Sequence, residues 1–276
     1  MTTWLITGSS TGLGHALASA VLASGDNAVI TARDVSKLDD LAAQYPSTAL
    51  ALTLDVTDPV QVWAAVDEGT DHFGAIDVLV NNAGYGYRAA VEEGADADVD
   101  ALFATHFAGT VSTIKAVLPQ MRERRSGTIV NLSSIGAHIN PAGSGYYAAV
   151  KAAIESLTGS LRKELEPLGI TAMTVAPGGF RTDFSGRSLT QAETPIADYA
   201  DTAGKRRKEN DPTHGTQPGD PDKAAAAIIA AVAAPDAPEL LMLGSDAVGT
   251  LRDILEAQLA SLAKWEHLSV STDFDS

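Results

Sequence analysis

The 276-residue chain contains no cysteine. Disulfide bonds, thiolate nucleophiles and zinc or iron–sulfur sites built from cysteine ligands are therefore excluded, and we predict no metal site. A chain without disulfides is typical of the reducing cytoplasm, which is where we expect this protein to be located.

Basic residues are also scarce. Lysine and arginine number 19 against 35 aspartates and glutamates, which gives a formal net charge of −16. Nucleic acids and anionic membrane surfaces are polyanions, so this charge argues against both as partners. It does not argue against a small anionic ligand, because a few local hydrogen-bond donors can hold one.

Long apolar runs are missing as well. The longest, Ala224–Ala234, is too short to span a bilayer and predicts a buried helix. Met1–Thr7 enters a glycine-rich turn after a few apolar residues, which leaves no room for a signal peptide. We therefore expect a soluble protein without a membrane partner.

Short apolar or β-branched runs alternate with stretches of helical spacing along the chain. This alternation predicts an α/β fold with a parallel sheet and helices on both of its faces. There is no repeat, linker or change of composition, so residues 1–276 are interpreted as one domain. The predicted strands are Trp4–Thr7, Ala28–Thr31, Ala49–Leu54, Val78–Asn81, Thr128–Leu132, Thr171–Ala176 and Leu240–Leu243. The predicted helices are 12–24, 35–44, 58–73, 98–124, 146–166 and 219–234.

Residues 183–218 break this rhythm with several glycines and prolines and with the basic run Lys205–Lys208. Because the segment follows the sixth predicted strand, it emerges at the carboxyl edge of the sheet, where α/β proteins bind ligands. We predict a substrate lid, with a mobile surface insertion as the alternative. The basic run is interpreted as a solvated helix face rather than a phosphate clamp.

The end of the chain, 246–276, carries apolar residues at helical spacing. The pattern predicts an amphipathic helix followed by a short tail. We expect its apolar face to pack on the domain or on a second subunit, because the acidic chain disfavours membrane binding. The apolar residues are Leu251, Ile254, Leu255, Leu259, Leu262 and Trp265.

A glycine-rich turn, TGSSTGLG at 7–14, joins the first strand to the first helix. Gly8 allows a tight turn, and Gly12 and Gly14 let the backbone come close to a ligand. The N-terminus of the following helix would attract a phosphate group of that ligand. A rival interpretation is the G-x-S-x-G turn of α/β-hydrolases, with Ser10 as the nucleophile. Only one strand precedes Ser10, so no earlier loop is available to supply the oxyanion donor of that mechanism.

The second strand ends in TARD, residues 31–34. An acidic residue at the end of this strand would hold the 2′-hydroxyl of an adenosine ribose, but Ala32 stands there and Arg33 follows. A guanidinium favours a 2′-phosphate by charge and bidentate geometry, which predicts NADP(H). Asp34 is interpreted as a cap or a solvated carboxylate, although it keeps NAD(H) open.

The stretch SGYYAAVK, residues 144–151, places two tyrosines before a lysine. Tyr147 and Lys151 are four residues apart and share one face of a helix, whereas Tyr146 has rotated off that face. A phenol has a pKa of about 10, and a neighbouring cation lowers it. The spacing therefore selects Tyr147 as a candidate acid or base, with Tyr146 as a wall or packing residue.

Taken together, these motifs resemble the short-chain dehydrogenase/reductase family in its single-domain form. The resemblance implies a doubly wound, Rossmann-type sheet of seven parallel strands in the order 3-2-1-4-5-6-7. It also implies a homodimer or homotetramer joined through helices 98–124 and 146–166. The matching motifs, which extend over nearly the whole chain, are Thr7-Gly8, Gly12-Leu13-Gly14, Asp55-Val56, Asn81-Asn82-Ala83-Gly84, Ser134, Tyr147 with Lys151, and Pro177-Gly178 leading to Thr182.

The resemblance further implies a nicotinamide dinucleotide site. Asp55 would contact the adenine and Asn82 the ribose region, while Thr182 and the backbone near it would lie by the nicotinamide carboxamide. The predicted cofactor residues are Gly8, Ser10, Thr11, Gly12, Leu13, Gly14, Arg33, Asp55, Val56, Asn82, Ala83, Gly84, Tyr147, Lys151, Pro177, Gly178, Phe180 and Thr182.

The reaction implied by the resemblance interconverts a ketone or aldehyde and its alcohol. Tyr147 would exchange a proton with the substrate oxygen, and Ser134 would hydrogen-bond the same oxygen. Lys151, together with the positive charge of an oxidised nicotinamide, would lower the pKa of Tyr147 and would also bind the ribose hydroxyls. The residues around 177–184 are similar to the branch that acts on hydroxysteroids, retinoids and related apolar carbonyls.

One position departs from the family pattern. In FATHFAGT, residues 103–110, His106 stands where the family usually carries an asparagine that supports a water-linked proton relay to the lysine. A histidine can donate and accept hydrogen bonds, so His106 is a candidate for that relay. The alternative is a plain residue in the helix interior.

Two other functions use the same fold. A dinucleotide-sensing regulatory protein would bind the cofactor without turnover, but such proteins often lack the tyrosine or the lysine that this chain retains. Sugar-nucleotide epimerases share Y-x-x-x-K, but they resemble a longer chain with a different glycine spacing. The oxidoreductase is therefore the preferred hypothesis.

Overall fold

The computed structural model of the protein describes residues 1–186, 188–210 and 215–274. Seven parallel strands form one sheet, and two short strands pair with each other outside it. In chain order, the nine strands of the described residues are β1 Thr3–Ile6, β2 Asn27–Ala32, β3 Ala49–Thr53, β4 Val78–Asn81, β5 Gly86–Arg88, β6 Gly127–Leu132, β7 Ile170–Pro177, β8 Leu189–Gln191 and β9 Leu240–Leu243.

The strands of the main sheet lie in the order β3-β2-β1-β4-β6-β7-β9. Counted among its seven members, this order is 3-2-1-4-5-6-7, so the predicted doubly wound fold is confirmed. The order reverses between β1 and β4. At such a switch point the carboxyl ends of the strands leave a crevice that can hold a ligand.

Helices cover both faces of this sheet. In chain order, the α-helices of the described residues are α1 Gly12–Ala23, α2 Asp39–Gln44, α3 Pro59–Phe73, α4 Asp96–Phe103, α5 Gly109–Arg124, α6 Gly136–Ile139, α7 Gly145–Leu165, α8 Pro221–Ala233 and α9 Ser245–Val270. Both α3 and α8 begin with a proline that follows an aspartate cap, Asp58 or Asp220, whose carboxylate accepts first-turn N–H groups.

Successive residues of the central strands face opposite sides of the sheet. Ile6 packs into the apolar layer that includes α1 and α8, while Leu5 packs into the layer that includes α3, α5 and α7. Both side chains are completely buried. Burial of each contributes about 1.5–3 kcal/mol, which explains why these strands read as continuous apolar runs.

The predicted continuous helix 98–124 is wrong in one respect. A π-helical turn, Ala104–Ala108, separates α4 from α5. A π turn holds one extra residue, so the helix face rotates between the two segments, a feature often found at functional sites. The spacing of apolar residues did not indicate this turn. One extra residue moves the later apolar positions by one place along the chain but leaves their helical spacing unchanged.

The run Asp96–Arg124 is long and apolar enough to cross a membrane by length and composition alone, and no other helix of the described residues is. In the fold, 44% of the most apolar 18-residue stretch of this run is buried. Ile114, Val117 and Met121 face the core from α5. The central helices of globular domains meet the same criterion, so the run is explained by core packing.

The segment 183–218 is tied to the body of the protein at several points, although Arg187 and residues 211–214 lie outside the described residues. Strand β8 pairs with β5. Arg207 donates to the Glu93 carboxylate at 3.0 Å, and Lys208 Nζ donates to the Leu189 carbonyl at 3.1 Å. The interpretation of the basic run as a solvated helix face is therefore wrong for Arg207, whose side chain is mostly buried in its ion pair with Glu93, whereas Lys205, Arg206 and Lys208 are exposed.

Helix α9 leaves the body of the protein after its first turns. Ala247 is buried and Ile254 is partly buried, but every residue from Leu255 to Phe274 is exposed. The expectation that this helix packs on its own domain is therefore wrong beyond Ile254. The apolar residues that suggested it lack a partner in the described residues.

Candidate active site

The glycine turn lies at the carboxyl end of β1. Gly8 and Gly12 have left-handed φ angles of +71° and +61°, a conformation that favours glycine. A side chain on Gly14 would collide with the Asn82 amide and with the carbonyl oxygen of Gly8. The turn therefore packs tightly on the end of β4 only because these positions are glycines. Without side chains there, the backbone of the turn can come close to a bound ligand.

The N-terminus of α1 opens toward the same edge of the sheet. The side chain of its N-cap, Thr11, makes no capping hydrogen bond, which leaves the first-turn N–H groups of Gly12 and Leu13 for another acceptor. With the positive end of the helix dipole, this cradle fits the pyrophosphate of a dinucleotide. Ser10 contacts no histidine or carboxylate in the described part of the chain, so nothing supports the hydrolase interpretation.

The end of β4 is bonded directly to the glycine turn. The Asn82 side chain donates to the carbonyls of Thr7 and Gly8 at 2.9 and 3.0 Å. The N–H of Ala83 donates to the Thr7 hydroxyl at 3.0 Å. Asn82 thus uses its amide donors within the protein, and its contribution to a cofactor site would be to fix the shape of the turn.

Arg33 is exposed at the end of β2 and has no hydrogen bond or ion pair with the described residues. Asp34 caps the 3₁₀ turn Val35–Leu38, where it accepts from the Ser36 N–H and hydroxyl and lies 3.8 Å from Lys37. The bond from Ser36 lowers the pKa of Asp34. The aspartate is thus engaged in its own turn, whereas the guanidinium is available to a ligand.

Asp55 and Val56 follow the end of β3. The Asp55 carboxylate accepts from the N–H and the hydroxyl of Thr57 at 2.9 and 2.7 Å. Val56 is buried, and a side chain on Gly109 of α5 would press against it. In the protein alone, Asp55 therefore shapes a turn and Val56 fills the core beside α5.

The loop after β7 is held by a residue that sequence reasoning missed. The carboxylate of Asp246, in the first turn of α9, accepts the N–H of Gly179 at 2.8 Å and occupies the space where a Gly178 side chain would lie. The N–H of Gly178 donates to the carbonyl of Leu243 at 2.9 Å. An acidic residue at a helix N-terminus was the available signal, because such residues often bind nearby N–H groups.

Thr182 brings this loop against the glycine turn. Its hydroxyl accepts the N–H of Phe184 at 3.3 Å, and its Cβ would lie 3.5 Å from a Cβ on Gly12. The ring of Phe180 packs on Gly219 at the far side of the loop. Between Thr182 and α1 opens a cleft of about 570 Å³, whose lining includes Gly12, His15, Ser19, Arg181, Thr182 and Asp183. Two predicted cofactor residues line this cleft, but the tyrosine–lysine pair does not.

The structure brings Ser134, Tyr147 and Lys151 together. Ser134 follows β6, and the other two lie on the first turns of α7. The Ser134 hydroxyl hydrogen-bonds the Tyr147 phenol and accepts the Gly136 N–H at 3.0 Å. Lys151 Nζ lies 5.8 Å from the Tyr147 ring centroid and donates to the Leu132 carbonyl at 2.7 Å. A hydroxyl, a phenol and an ammonium therefore converge at the carboxyl edge of the sheet.

Burial is the largest influence on the pKa values of Tyr147 and Lys151. It raises the pKa of Tyr147 to about 12, although the hydrogen bond with Ser134 acts in the opposite direction. It also lowers the pKa of Lys151 to about 8. In the protein alone, burial therefore determines the direction of the Tyr147 pKa shift. The expectation that Lys151 and an oxidised nicotinamide together lower this pKa concerns the cofactor-bound protein and stays a prediction.

Glu155 is a second residue that sequence reasoning missed. It lies one helical turn beyond Lys151, and its carboxylate accepts from the Ser133 hydroxyl at 2.6 Å and lies 3.1 Å from His138 Nε2. Its negative charge raises the pKa of Lys151 against the effect of burial. The i, i+4 spacing from Lys151 was a signal for this role.

His106 faces the same group from the π turn. It is 2% exposed, its ring meets the Tyr147 ring edge-on at 5.9 Å between centroids, and a side chain on Gly84 would collide with it. Nε2 lies 2.8 Å from the carbonyl oxygen of Tyr85, while Nδ1 has no partner in the described residues. Burial, and then the charge of Lys151, hold the pKa of His106 well below 6.5, so the imidazole is neutral near pH 7.

Two aromatic residues border Tyr147. The Phe184 ring, from the segment after β7, lies 5.8 Å from the Tyr147 ring and also packs near Gly86. Tyr146 turns away, donates to the Val91 carbonyl at 2.6 Å and packs on Gly94. Phe184 thus lies beside the Tyr147 ring, and Tyr146 is a packing residue.

A family model described as short chain dehydrogenase matches residues 2–193. The chain belongs to the short-chain dehydrogenase family. This short-chain dehydrogenase is 37% identical over 273 residues to oxidoreductase BOA17 of Botryotinia fuckeliana (strain B05.10), a match that covers 98% of each chain. It is 42% identical to the crystal structure of a short-chain dehydrogenase from Streptomyces avermitilis, with a TM-score of 0.92, covering 99% of this chain and 98% of the other. The protein is therefore an oxidoreductase of this family.

Solved relatives of this short-chain dehydrogenase bind nicotinamide cofactors. A short-chain dehydrogenase from Sphingobium yanoikuyae was solved with NADPH, and a 3-ketoacyl-(acyl-carrier-protein) reductase from Brucella melitensis with NADH. Each is 26% identical with a TM-score of 0.73; the matches cover 95% and 88% of this chain and 95% of each relative. These relatives support a nicotinamide cofactor here without distinguishing between its two forms.

Proposed function

We propose that this short-chain dehydrogenase is an NADP(H)-dependent oxidoreductase that interconverts an apolar ketone or aldehyde and its alcohol. The observation that carries the proposal is the convergence of Ser134, Tyr147 and Lys151 at the carboxyl edge of the sheet. The glycine turn, whose open helix N-terminus suits a pyrophosphate, lies at the same edge.

The bound nicotinamide supplies or accepts the hydride. Tyr147 donates its phenolic proton to the carbonyl oxygen during reduction, and Ser134 donates a hydrogen bond to the same oxygen. A pKa of about 12 keeps the phenol protonated at neutral pH, which suits the acid role. Alcohol oxidation needs tyrosinate, so that direction depends on extra positive charge beside the ring.

Lys151, Glu155 and His106 have electrostatic and proton-relay roles in the proposed site. The Lys151 ammonium compensates negative charge that develops on the tyrosine, and it is placed to bind ribose hydroxyls. Glu155 acts as a positioning residue, because its carboxylate helps to keep the lysine protonated. His106, neutral and with Nδ1 unpaired in the described residues, would take the relay position through that nitrogen.

Three further features belong to the proposal. Arg33 is free of described partners and would bind the 2′-phosphate, although the NADH-bound relative keeps NAD(H) as the alternative. The Phe184 ring beside Tyr147 supports an apolar substrate, with the described part of 183–218 as its lid. A homodimer or homotetramer through α4–α5 and α7 is retained from the family resemblance.

The test is Tyr147→Phe, assayed by NADPH consumption with a panel of aromatic and alicyclic ketones and aldehydes. Loss of the proton donor should lower turnover by about 10²–10⁴-fold, while the dissociation constant for NADPH changes little. Tyr146→Phe is the matched control, since that hydroxyl only donates to Val91, and it should retain turnover.

Near wild-type turnover in Tyr147→Phe would contradict the assigned acid. A wild-type protein that binds NADPH tightly yet consumes none with any compound of the panel would instead favour the dinucleotide-sensing alternative.

A further inference from the structure

Among the described residues, helix α9 exposes more large apolar side chains than any other element. Seven of the fourteen large apolar side chains exposed in the described residues lie on this helix. At 100° per residue, four of these side chains and the partly buried Leu251 form one stripe, which we call the α9 stripe: Val248, Leu251, Leu255, Leu259 and Leu262, with Trp265 at its edge. Folded monomers rarely expose a contiguous apolar patch of more than a few hundred Å².

Two charged residues border the α9 stripe on the same edge. Arg252 and Glu266 are each seven residues from Leu259, one before it and one after it, and so occupy equivalent heptad positions. Both are exposed, and neither has an ion-pair partner in the described part of the chain. The stripe is therefore symmetric in position and opposite in charge about Leu259.

This arrangement selects one kind of partner and one orientation. When two copies of α9 pack antiparallel with a two-fold axis at Leu259, the same edges meet, and Arg252 of one copy faces Glu266 of the other. In a parallel pair, Arg252 would instead face the other edge of the partner's stripe. That edge carries the uncharged residues Ala247, Ile254 and Ser261. We propose that α9 is a self-association helix that pairs antiparallel with the α9 of a second copy of this chain.

The dimensions predict the strength of the contact. The α9 stripe runs from Val248 to Trp265, a length of about 27 Å, and at a width of about 10 Å it covers on the order of 300 Å² per copy. A standard stable interface takes about 800 Å² from each partner. The α9 pair alone is therefore expected to be weaker than a standard interface, so its dissociation should be measurable on dilution.

Sedimentation velocity from about 1 to 100 μM tests the proposal on the full chain. The wild type should shift with concentration between a species and one of twice its mass. Leu259→Glu should remove the heavier species. Ala260→Glu, on the opposite face of the same exposed stretch, is the matched control and should sediment like the wild type.

Charge reversal tests the orientation. Arg252→Glu and Glu266→Arg should each weaken the association about 3–10-fold, because each places like charges together, and the double variant should restore it. Identical sedimentation of wild type and Leu259→Glu at every concentration, or failure of the double variant to recover, would overturn the proposal. NADPH binding by each variant confirms that it is folded, independently of any turnover.

Discussion

At the residue scale, Lys151 is unfavourable for stability. It occupies the buried stripe of α7 with Ala148, Ile154 and Thr158, where an aliphatic side chain would normally stand, and it is 6% exposed. The carbonyl of Leu132 and the charge of Glu155 offset only part of the desolvation, since the pKa of Lys151 still falls to about 8. A buried cation that the fold does not need is best explained by chemistry at Tyr147.

Lys151→Met should therefore abolish turnover and stabilise the protein. A pKa lowered from 10.5 to about 8 corresponds to a cost of about 3 kcal/mol, of which about 1 kcal/mol is returned by the bond to Leu132. The melting temperature at pH 7 should rise by about 5 °C. Lys163→Met, an exposed lysine of the same helix, should change it little.

The pH dependence of this gain follows from the lowered pKa. Between pH 8 and 10.5 the unfolded chain binds the proton and the folded chain does not, so wild-type stability attributable to Lys151 rises with pH. The advantage of Lys151→Met should thus be complete below pH 8 and vanish by about pH 10.5. A melting temperature that falls in Lys151→Met at pH 7 would show that the ammonium stabilises the fold.

At the scale of elements, a buried carboxylate makes two of the bonds that hold the segment 183–218 to the body of the protein. Glu93 is 2% exposed and accepts from the Ile196 N–H at 2.8 Å, from the Ala90 N–H at 3.0 Å and from Arg207 at 3.0 Å. Burial alone would raise the pKa of Glu93, but these three donors together lower it. The glutamate thus joins Ile196 and the basic run of the segment to the loop after β5.

Glu93→Gln should loosen this segment while the sheet stays intact. Removing one charge of a buried pair leaves Arg207 uncompensated, at a cost of about 3–5 kcal/mol that local opening can relieve. We expect tryptic cleavage within Lys205–Lys208 to accelerate at least tenfold and hydrogen exchange to rise there. Glu92→Gln, whose exposed carboxylate accepts from Tyr199, is the neighbouring control and should change cleavage little. Equal cleavage rates in the two variants would exclude Glu93 as the anchor.

At the scale of the whole molecule, the proposed cofactor site joins elements that are far apart in sequence. The glycine turn, the end of β4 and the loop after β7 meet at one edge, where Asn82 bonds to Gly8 and Thr182 packs beside Gly12. A ligand held by all three elements binds only the folded chain, so its affinity appears directly in the melting temperature.

NADPH should therefore raise the melting temperature more than NADH at equal concentration. A charge-assisted bond between Arg33 and the 2′-phosphate is worth about 1.5–3 kcal/mol, or roughly 10–100-fold in affinity. Arg33→Ala should bring the two shifts together, whereas Arg122→Ala, an exposed arginine of α5, should leave their difference unchanged. An NADPH shift that survives in Arg33→Ala would remove this residue from cofactor selection.

The sequence by itself determined the α/β class, because continuous apolar strands alternate with helices, and its ordered motifs determined the strand order through their resemblance to the family. It also paired Tyr147 with Lys151, since i, i+4 spacing is a local property of the helix. Only the tertiary structure decided the pKa of Tyr147, because desolvation depends on everything packed around the ring. It alone placed Asp246 beside Gly179, since no periodic signal relates residues so far apart along the chain, and it alone left most of α9 exposed.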